Sequence, residues 1–363
     1  MAQSEPCVRH ALIALGYLNK TETGSLKDAR SGFMAASEQK TLLFHYNKAV
    51  NSLIGLVSCI LFICIEFLRG NYDTAFTYFN SDLKIISAFK RSQIPSPVKS
   101  LGPKQVLHTS YYLLEIQGRP FTSVLEAQSS IYNIRNMAMI FIRNIGLKLL
   151  NLRLITEEDL QHQKDILESH RAWFRALEEL ERKTTLSKED AITANSLKAN
   201  YYCTYIFTAC ATHTNQIAYD QHLDGFKALI NHTRIVLDSI GSTSSSSPAV
   251  NFTFEIGVIL YLYFAASCCR CSVTRREAIS LLERNPPREG LWDAQQHVAV
   301  TNRIIEIEES ELDPVTGWLV ERTRIWSTII NGDMDGNGRF QVYFAVGLWG
   351  EGRGRMWREW FVL

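Results

Sequence analysis

The sequence has 363 residues, of which 46% are hydrophobic and 21% are charged. This balance is typical of a globular protein with an ample core, and it argues against an intrinsically disordered chain. The net charge of only +1 argues against a chain that holds DNA by itself, because nucleic-acid binding usually requires a basic surface. Most of the eight cysteines stand in apolar runs, where a thiol behaves as a small buried hydrophobe, so we expect a reducing intracellular compartment.

The first predicted elements form a helical hairpin over residues 42–88. In the stretch NYDTAFTYFNSDLKIISAF, apolar residues recur every three or four positions, which places them on one helix face. Gly70 separates this helix from the preceding one, and Asn71 is a suitable N-cap. The hairpin resembles one unit of a helical-repeat protein, but no second copy follows at a fixed period, so a solenoid is not predicted.

Two apolar stretches invite interpretation as membrane spans, at residues 53–65 and 256–269. Each is shorter than the roughly 18 uninterrupted apolar residues that a span requires. We therefore predict that both are helices in the centre of a large helical core.

Two later helices carry recognisable start signals. The stretch TEED at 156–159 predicts a capping box, and SKED at 187–190 repeats the pattern. The apolar face of the first of these helices is predicted to contain Leu160, Leu167, Phe174 and Leu177. Residues 94–103 and 241–248 are predicted connectors, rich in proline and in serine respectively. We expect one all-α domain over 1–363, with repeat-like hairpins; the alternative division gives halves 1–240 and 249–363.

The acidic run IIEIEESELD at 304–313 is predicted to be the solvated end of a helix. The apolar side of that helix would carry Leu291, Ala294, Val298 and Ile305. A following helix, with Leu319, Thr323, Trp326 and Ile330 on one stripe, would supply Arg322 and Arg324. We predict ion pairs between these arginines and the carboxylates Glu306, Glu308, Glu309 and Glu311, in preference to a ligand site.

The stretch NGDMDGNGRF at 331–340 resembles the opening of a calcium loop. Asp333, Asp335 and Asn337 alternate as oxygen ligands would, but the twelfth position holds Phe344 instead of the closing glutamate. We predict a turn between two structured segments, since Gly, Asn and Asp favour turns. The only candidate strand is 339–348.

No catalytic or metal-binding motif emerges from the sequence. The stretch CCRC at 268–271 offers three thiols without the second pair that a zinc site requires, and structural cysteines are the better interpretation. Phosphate-binding glycine loops and nucleophile elbows are absent. We therefore predict that the chain is not an enzyme.

Longer stretches resemble one family. EPCVRHALIALGYL, LLFHYNKAVNSL and ILFICIEFLRGNYDTAFTYFNSDLKII are similar to the central region of fungal binuclear zinc-cluster transcription factors. PPREGLWDAQQHV, IIEIEESELDPVTGWLVERTRIWSTII and GRFQVYFAVGLWGEGRGRMWREWF resemble their C-terminal part. The residues that carry this resemblance are Glu66, Gly70, Asn71, Ala75, Pro287, Arg288, Leu291, Trp292, Asp293, Glu308, Glu309, Arg324, Asp333 and Arg339.

The resemblance implies an all-helical regulatory region of a nuclear transcription regulator, without an enzymatic role. Its expected partners are other transcription-regulatory proteins or a full-length relative, with a small-molecule effector as a further candidate. The six-cysteine zinc cluster of the family is missing here, so zinc and DNA contact are expected only through such a head or a partner. We expect the chain to be either truncated or naturally headless, and no membrane contact.

Two other function classes remain open on the sequence alone. One is a helical scaffold or adaptor outside transcription, built on hairpins such as 42–88. The other is an all-α enzyme with an apolar pocket walled by helices such as 252–269. The lack of a recognisable set of acid/base residues or metal ligands argues against an enzyme.

Overall fold

The computed structural model describes residues 13, 40, 44–45, 120–243, 252–253, 257–290, 292–335, 337–347 and 355–363. The predicted hairpin 42–88 lies almost wholly outside these residues, and the connector 94–103 lies entirely outside them. Seven α-helices stand in the described part of the chain. They are α1 (Val124–Leu150), α2 (Glu157–Lys183), α3 (Lys188–Cys210), α4 (Leu223–Thr243), α5 (Val258–Cys268), α6 (Ser272–Leu282) and α7 (Ala294–Glu308). Two 3-10 helices are also present. Gln216–His222 directly precedes α4, and Glu321–Thr323 follows α7 in the chain.

Helices α1, α2 and α3 pack together around aromatic side chains. Trp173 of α2 is fully buried, and its indole N–H donates to the carbonyl of Ala127 in α1 at 2.8 Å. Tyr201 of α3 stacks on Phe174, with 4.4 Å between the ring centroids. The first three helices thus share one aromatic core.

The predicted starts of α2 and α3 are confirmed. Thr156 and Asp159 form a reciprocal capping box, and Ser187 accepts a hydrogen bond from the backbone N–H of Asp190. The predicted buried face of α2 is partly wrong, because Leu160 is exposed while Trp173 is buried. Leu160, Leu167 and Phe174 are spaced by seven residues. Because a helix has 3.6 residues per turn, residues at this spacing shift gradually around its surface, and Leu160 no longer faces the core.

Helices α3 to α7 enclose a second core around Phe226, Leu262 and Phe264. Most of the apolar stretch 256–269 forms α5, which packs against α3, α4, α6 and α7, as predicted for a core helix. None of the described helices is long and apolar enough to cross a membrane. Residues 241–243 belong to α4, so the first three residues of the predicted serine-rich connector are helical, and 244–248 lie outside the described residues.

The C-terminal part contains β-structure, so the expectation of an all-α fold was incomplete. Strands β3 (Ile325–Met334), β4 (Arg339–Val346) and β5 (Arg355–Val362) form an antiparallel sheet in the order β3-β4-β5. Strands β1 (Phe252–Thr253) and β2 (Arg288–Glu289) form a separate parallel pair. One face of the larger sheet buries Phe340, Val342 and Phe344 against Val300 and Ile304 of α7.

The predicted helix with Leu319, Thr323, Trp326 and Ile330 was wrong. The segment instead forms a 3-10 turn followed by β3. Its run of Ile, Trp, Thr and Ile residues favours a strand, since β-branched and aromatic side chains pack well on a pleated surface. The candidate strand 339–348 is confirmed over Arg339–Val346, which forms β4. The loop after Met334 joins two strands rather than a helix to a following segment.

Candidate functional site

Three charged side chains meet in the interior where α6, α7 and β3 converge. Arg275 of α6 and Glu308 of α7 form an ion pair of 2.7 Å between Nη2 and Oε2. Arg324, which directly precedes β3, approaches the same Oε2 with its Nη1 at 3.5 Å. All three side chains are at most 1% exposed, so the Arg275–Glu308–Arg324 triad is shielded from bulk solvent.

The triad also binds the main chain around it. Arg275 Nε donates to the carbonyl of Ala266 at 3.0 Å, and Arg324 Nη2 donates to that of Cys268 at 2.9 Å. The backbone N–H of Ile325 donates to Glu308 Oε1 at 2.9 Å. The triad therefore joins the end of α5 to α6, α7 and β3. A buried ion pair of this kind fixes geometry more than it adds stability.

The prediction for the acidic run is therefore partly wrong. Glu308 is fully buried rather than solvated, because Arg275, which the sequence did not single out, neutralises it together with Arg324. The predicted pair between Arg322 and Glu311 is present at the surface. Glu309 pairs with Arg276 instead, at 2.8 Å between Nη1 and Oε1, and Glu306 pairs with Arg303.

A second set of charges lies beside the triad. Arg270 donates to Asp220 at 2.7 Å, and the backbone N–H of Gln216 donates to Glu321 at 2.6 Å. Burial raises the pKa of Asp220 and of Glu321, although Arg270 and Arg324 oppose the shift at both carboxyls. Together with the triad these residues form a charge cluster of three arginines and three carboxylates: Arg270, Arg275, Arg324, Asp220, Glu308 and Glu321.

A surface groove of about 440 Å³ opens above this charge cluster. It lies between the start of α6 and the loop that follows α7. Its lining contains Arg270, Cys271, Ser272, Val273, Arg276, Glu309, Leu312, Gly317, Trp318 and Leu319. The loop is shaped by Asp313, whose carboxylate accepts backbone N–H bonds from Val315 and Thr316, and by Gly317 at φ +67°.

The groove combines a cation, an aromatic ring and a thiol. The guanidinium carbon of Arg270 lies 5.7 Å from the ring centroid of Trp318, which is 41% exposed. Burial alone would raise the pKa of the Cys271 thiol, but hydrogen bonds from Thr274 and from the backbone N–H of Val273 lower it. Such a groove suits a small ligand with a flat ring and an anionic group. The described residues here do not form a nucleophile–base pair.

A further buried carboxylate starts helix α5. Glu289 of β2 accepts backbone N–H bonds from Gly257, Val258 and Ile259 at 3.0, 2.7 and 3.2 Å. Burial raises the pKa of Glu289 to about 7, although these N–H donors oppose the rise. Sequence analysis selected the neighbouring Arg288 and missed Glu289. Capping residues are recognised in a sequence by their position next to the helix that they cap, whereas Glu289 caps a helix that begins about 30 residues before it.

The remaining predicted motif residues surround these features. Arg288 is buried, Trp292 packs beside Tyr263, and Asp293 caps α7 by accepting the N–H of Gln296 at 2.9 Å. Pro287 is half-buried. Asp333 lies within β3, and Arg339 begins β4 with its guanidinium 5.2 Å from the ring of Trp360. Outside the described residues are Glu66, Gly70, Asn71, Ala75 and Leu291.

The two stretches that resemble metal-binding motifs are residues 331–340, which contain a turn between two strands, and residues 268–271, at the end of α5. Asp335 accepts backbone N–H bonds from Asn337 and Arg339, both at 2.9 Å, and Gly338 has φ +78°, as in a tight turn between strands. The thiols of Cys268, Cys269 and Cys271 are free. No group of three potential metal ligands occurs in the part of the chain that the structure describes.

Comparison with known proteins relates part of this chain to a fungal regulator. A stretch of 64 residues is 38% identical to the "Aspercryptin biosynthesis cluster-specific transcription regulator atnN" of Emericella nidulans. This stretch is 18% of the chain and 10% of that regulator, so the chain spans only a small part of its relative. No protein-family model matches the sequence. No solved structure matches it either.

Proposed function

We propose that this chain is a regulatory region of a fungal transcription regulator and acts by contact with other regulatory proteins or by response to an effector. The observation that carries the proposal is the 38% identity to a transcription regulator over 64 residues. The protein would work in the nucleus, and DNA contact, with the zinc cluster it requires, would belong to a separate head or to a partner. The net charge of +1 is in keeping with a region that does not hold DNA itself.

The groove above the charge cluster is the proposed effector site. A ligand that stacks on Trp318 and pairs with Arg270 would compete with Asp220 for that arginine. Because Asp220, Arg324 and Glu308 are electrostatically linked, such competition would act on the junction of α5, α6, α7 and β3. Binding energy would thus be converted into a shift between two arrangements of that junction.

The experiment is a tethering assay. The full chain is fused to an unrelated DNA-binding domain, and a reporter gene behind the matching operator is measured in a fungal host. We expect the fusion to change reporter expression several-fold relative to the DNA-binding domain alone. Trp318→Ala should weaken any response that depends on an effector, whereas Arg153→Ala, at an exposed arginine that does not line the groove, serves as the matched control.

An unchanged reporter, at fusion levels confirmed by immunoblot, would contradict the proposal. The alternative is a helical scaffold or adaptor outside transcription. Fractionation that places the native protein outside the nucleus, with stable partners there, would favour this alternative over the regulatory region.

A further inference from the structure

The outer face of the β3-β4-β5 sheet carries several exposed apolar side chains, although Gln341 and Ala345 of its central strand are buried. The opposite face packs on α7, whereas the side chains of alternate residues point away from it. On this outer face Ile329 is 59% exposed, Met356 46%, Trp360 61% and Val362 65%. Tyr343 and Ala345 of the central strand lie between them, opposite Arg358 and Met356. Large apolar side chains grouped on one exposed surface usually mark an interaction site.

Two of the described side chains on this outer face are positively charged. The face carries the guanidinium groups of Arg339 and Arg358, and Arg339 lies over the ring of Trp360. Ser327 and Gln341, which are uncharged, also lie on this face. Glu359 of β5 points to the opposite face, where it pairs with Arg303 at 2.8 Å. Tryptophan, tyrosine and arginine are also the residues most enriched at binding hot spots.

Strand β5 is an edge of the sheet among the described strands. The N–H of Leu363 donates to the carbonyl of Gly338, which stands opposite it in the β4–β5 register, at 3.1 Å. Hydrogen-bonded and non-hydrogen-bonded pairs alternate in an antiparallel ladder. The backbone groups of Met356, Arg358, Trp360 and Val362 therefore point away from β4, towards the open edge.

We propose that the outer face and the β5 edge together bind an extended protein segment that carries both acidic and apolar side chains. The segment adds to β5 as a fourth strand by main-chain hydrogen bonds. Its carboxylates pair with Arg358 and Arg339, and its apolar side chains cover Trp360 and Met356. This inference goes beyond the proposed function and does not depend on it, because it requires only the sheet.

The test uses the full chain and a synthetic probe. The probe is a fluorescein-labelled ten-residue peptide in which Val, Glu, Leu, Glu and Phe alternate with Thr, and its counterpart has Lys in place of Glu. Fluorescence anisotropy should show saturable binding of the acidic peptide and at least about tenfold weaker binding of the basic one. Arg358→Glu and Trp360→Ala should each weaken binding of the acidic peptide about tenfold, whereas Arg153→Glu should not.

Hydrogen exchange supplies a second readout that separates the occupants. The bound acidic peptide should slow exchange at the amides of Met356, Arg358, Trp360 and Val362. Absence of binding, equal binding of both peptides, or binding without this protection would overturn the proposal. Protection of these amides in the free chain would also overturn the proposal, because the edge would then already be covered. Sedimentation would distinguish a second copy of the chain from another segment of the same chain as the covering element.

Discussion

Arg275 and Glu308 form an ion pair of 2.7 Å in which neither side chain has any exposed surface. The pair is completed by Arg324 and lies under the groove at the junction of α6 and α7. Its burial determines how the fold should respond to the loss of either charge.

Glu308→Gln is expected to destabilise the protein strongly. The substitution keeps the size of the side chain but leaves Arg275 charged and buried without its ion-pair partner, and it removes the closest carboxylate from Arg324. Removal of one partner from a buried pair costs about 3–5 kcal/mol. Denaturation by urea, followed by circular dichroism, measures the change in the free energy of unfolding.

Glu311→Gln is the matched control for that experiment, because it breaks the exposed pair with Arg322 in the neighbouring loop. Its free energy of unfolding should stay within about 0.5 kcal/mol of the wild type. Equal changes in the free energy of unfolding for the two substitutions would show that the buried triad contributes no more to stability than the exposed pair does.

The stability contribution of Glu289 is expected to depend on pH. A glutamate carboxyl in water has an ordinary pKa of 4.5, and burial raises the pKa of Glu289 to about 7 in the folded chain. Between these values the folded state binds more protons than the unfolded one, so the contribution is complete below about pH 4.5 and is lost as the pH rises to about 7.

The measurement compares the wild type with Glu289→Gln over that range. The free energy of unfolding of the wild type, minus that of the variant, should fall by up to about 1.4 kcal/mol per pH unit and level off above about pH 7. The difference isolates Glu289 from buried histidines such as His170 and His297, whose pKa burial lowers to about 4. A difference independent of pH would refute the expectation.

Cys271 is expected to be the most reactive of the described thiols. Hydrogen bonds from Thr274 and Val273 lower its pKa against the effect of burial, whereas burial raises the pKa of Cys203 and of Cys268 to about 12. Brief alkylation of the native chain with iodoacetamide at about pH 8 should modify Cys271 roughly ten times faster than Cys203. Mass spectrometry of the peptides gives the rates, and the urea-unfolded chain, in which the two should react alike, is the control.

The turn after β3 is expected to be indifferent to calcium. Asp335→Ala should lower the free energy of unfolding by about 1 kcal/mol, because two backbone N–H groups lose their acceptor. Asn337→Ala changes the same turn but removes neither contact, so it should cost less. Thermal unfolding with and without about 5 mM calcium tests the rejected alternative, since a bound ion would raise the midpoint temperature.

The sequence predicted those features whose causes are local. The caps at Thr156 and Ser187 depend on residues three positions apart, and β4 alternates within one short stretch. Strand β3 was mistaken for a helix because its apolar residues also satisfy a three- and four-residue spacing. Strand β5 was not recognised, although its residues alternate between the two faces.

The candidate site could be predicted only in part, since its contacts join distant residues. Glu308 and Arg324 carry a signal in the sequence, but the burial of Glu308 depends on Arg275 in another helix. Arg270 stands in the CCRC stretch, where the sequence interpretation considered only the thiols and favoured structural cysteines over a zinc site. Its partners Asp220 and Trp318 come from segments that adjoin it only in the folded chain.

The cap on α5 has a consequence for synthesis on the ribosome. Helix α5 has 11 residues, which is too short for a helix to be stable alone in water, and its first N–H groups find their acceptors on Glu289. A nascent chain that ends before residue 289 thus carries an unfinished, strongly apolar helix. Until translation has passed this point, that segment is a natural target for chaperones.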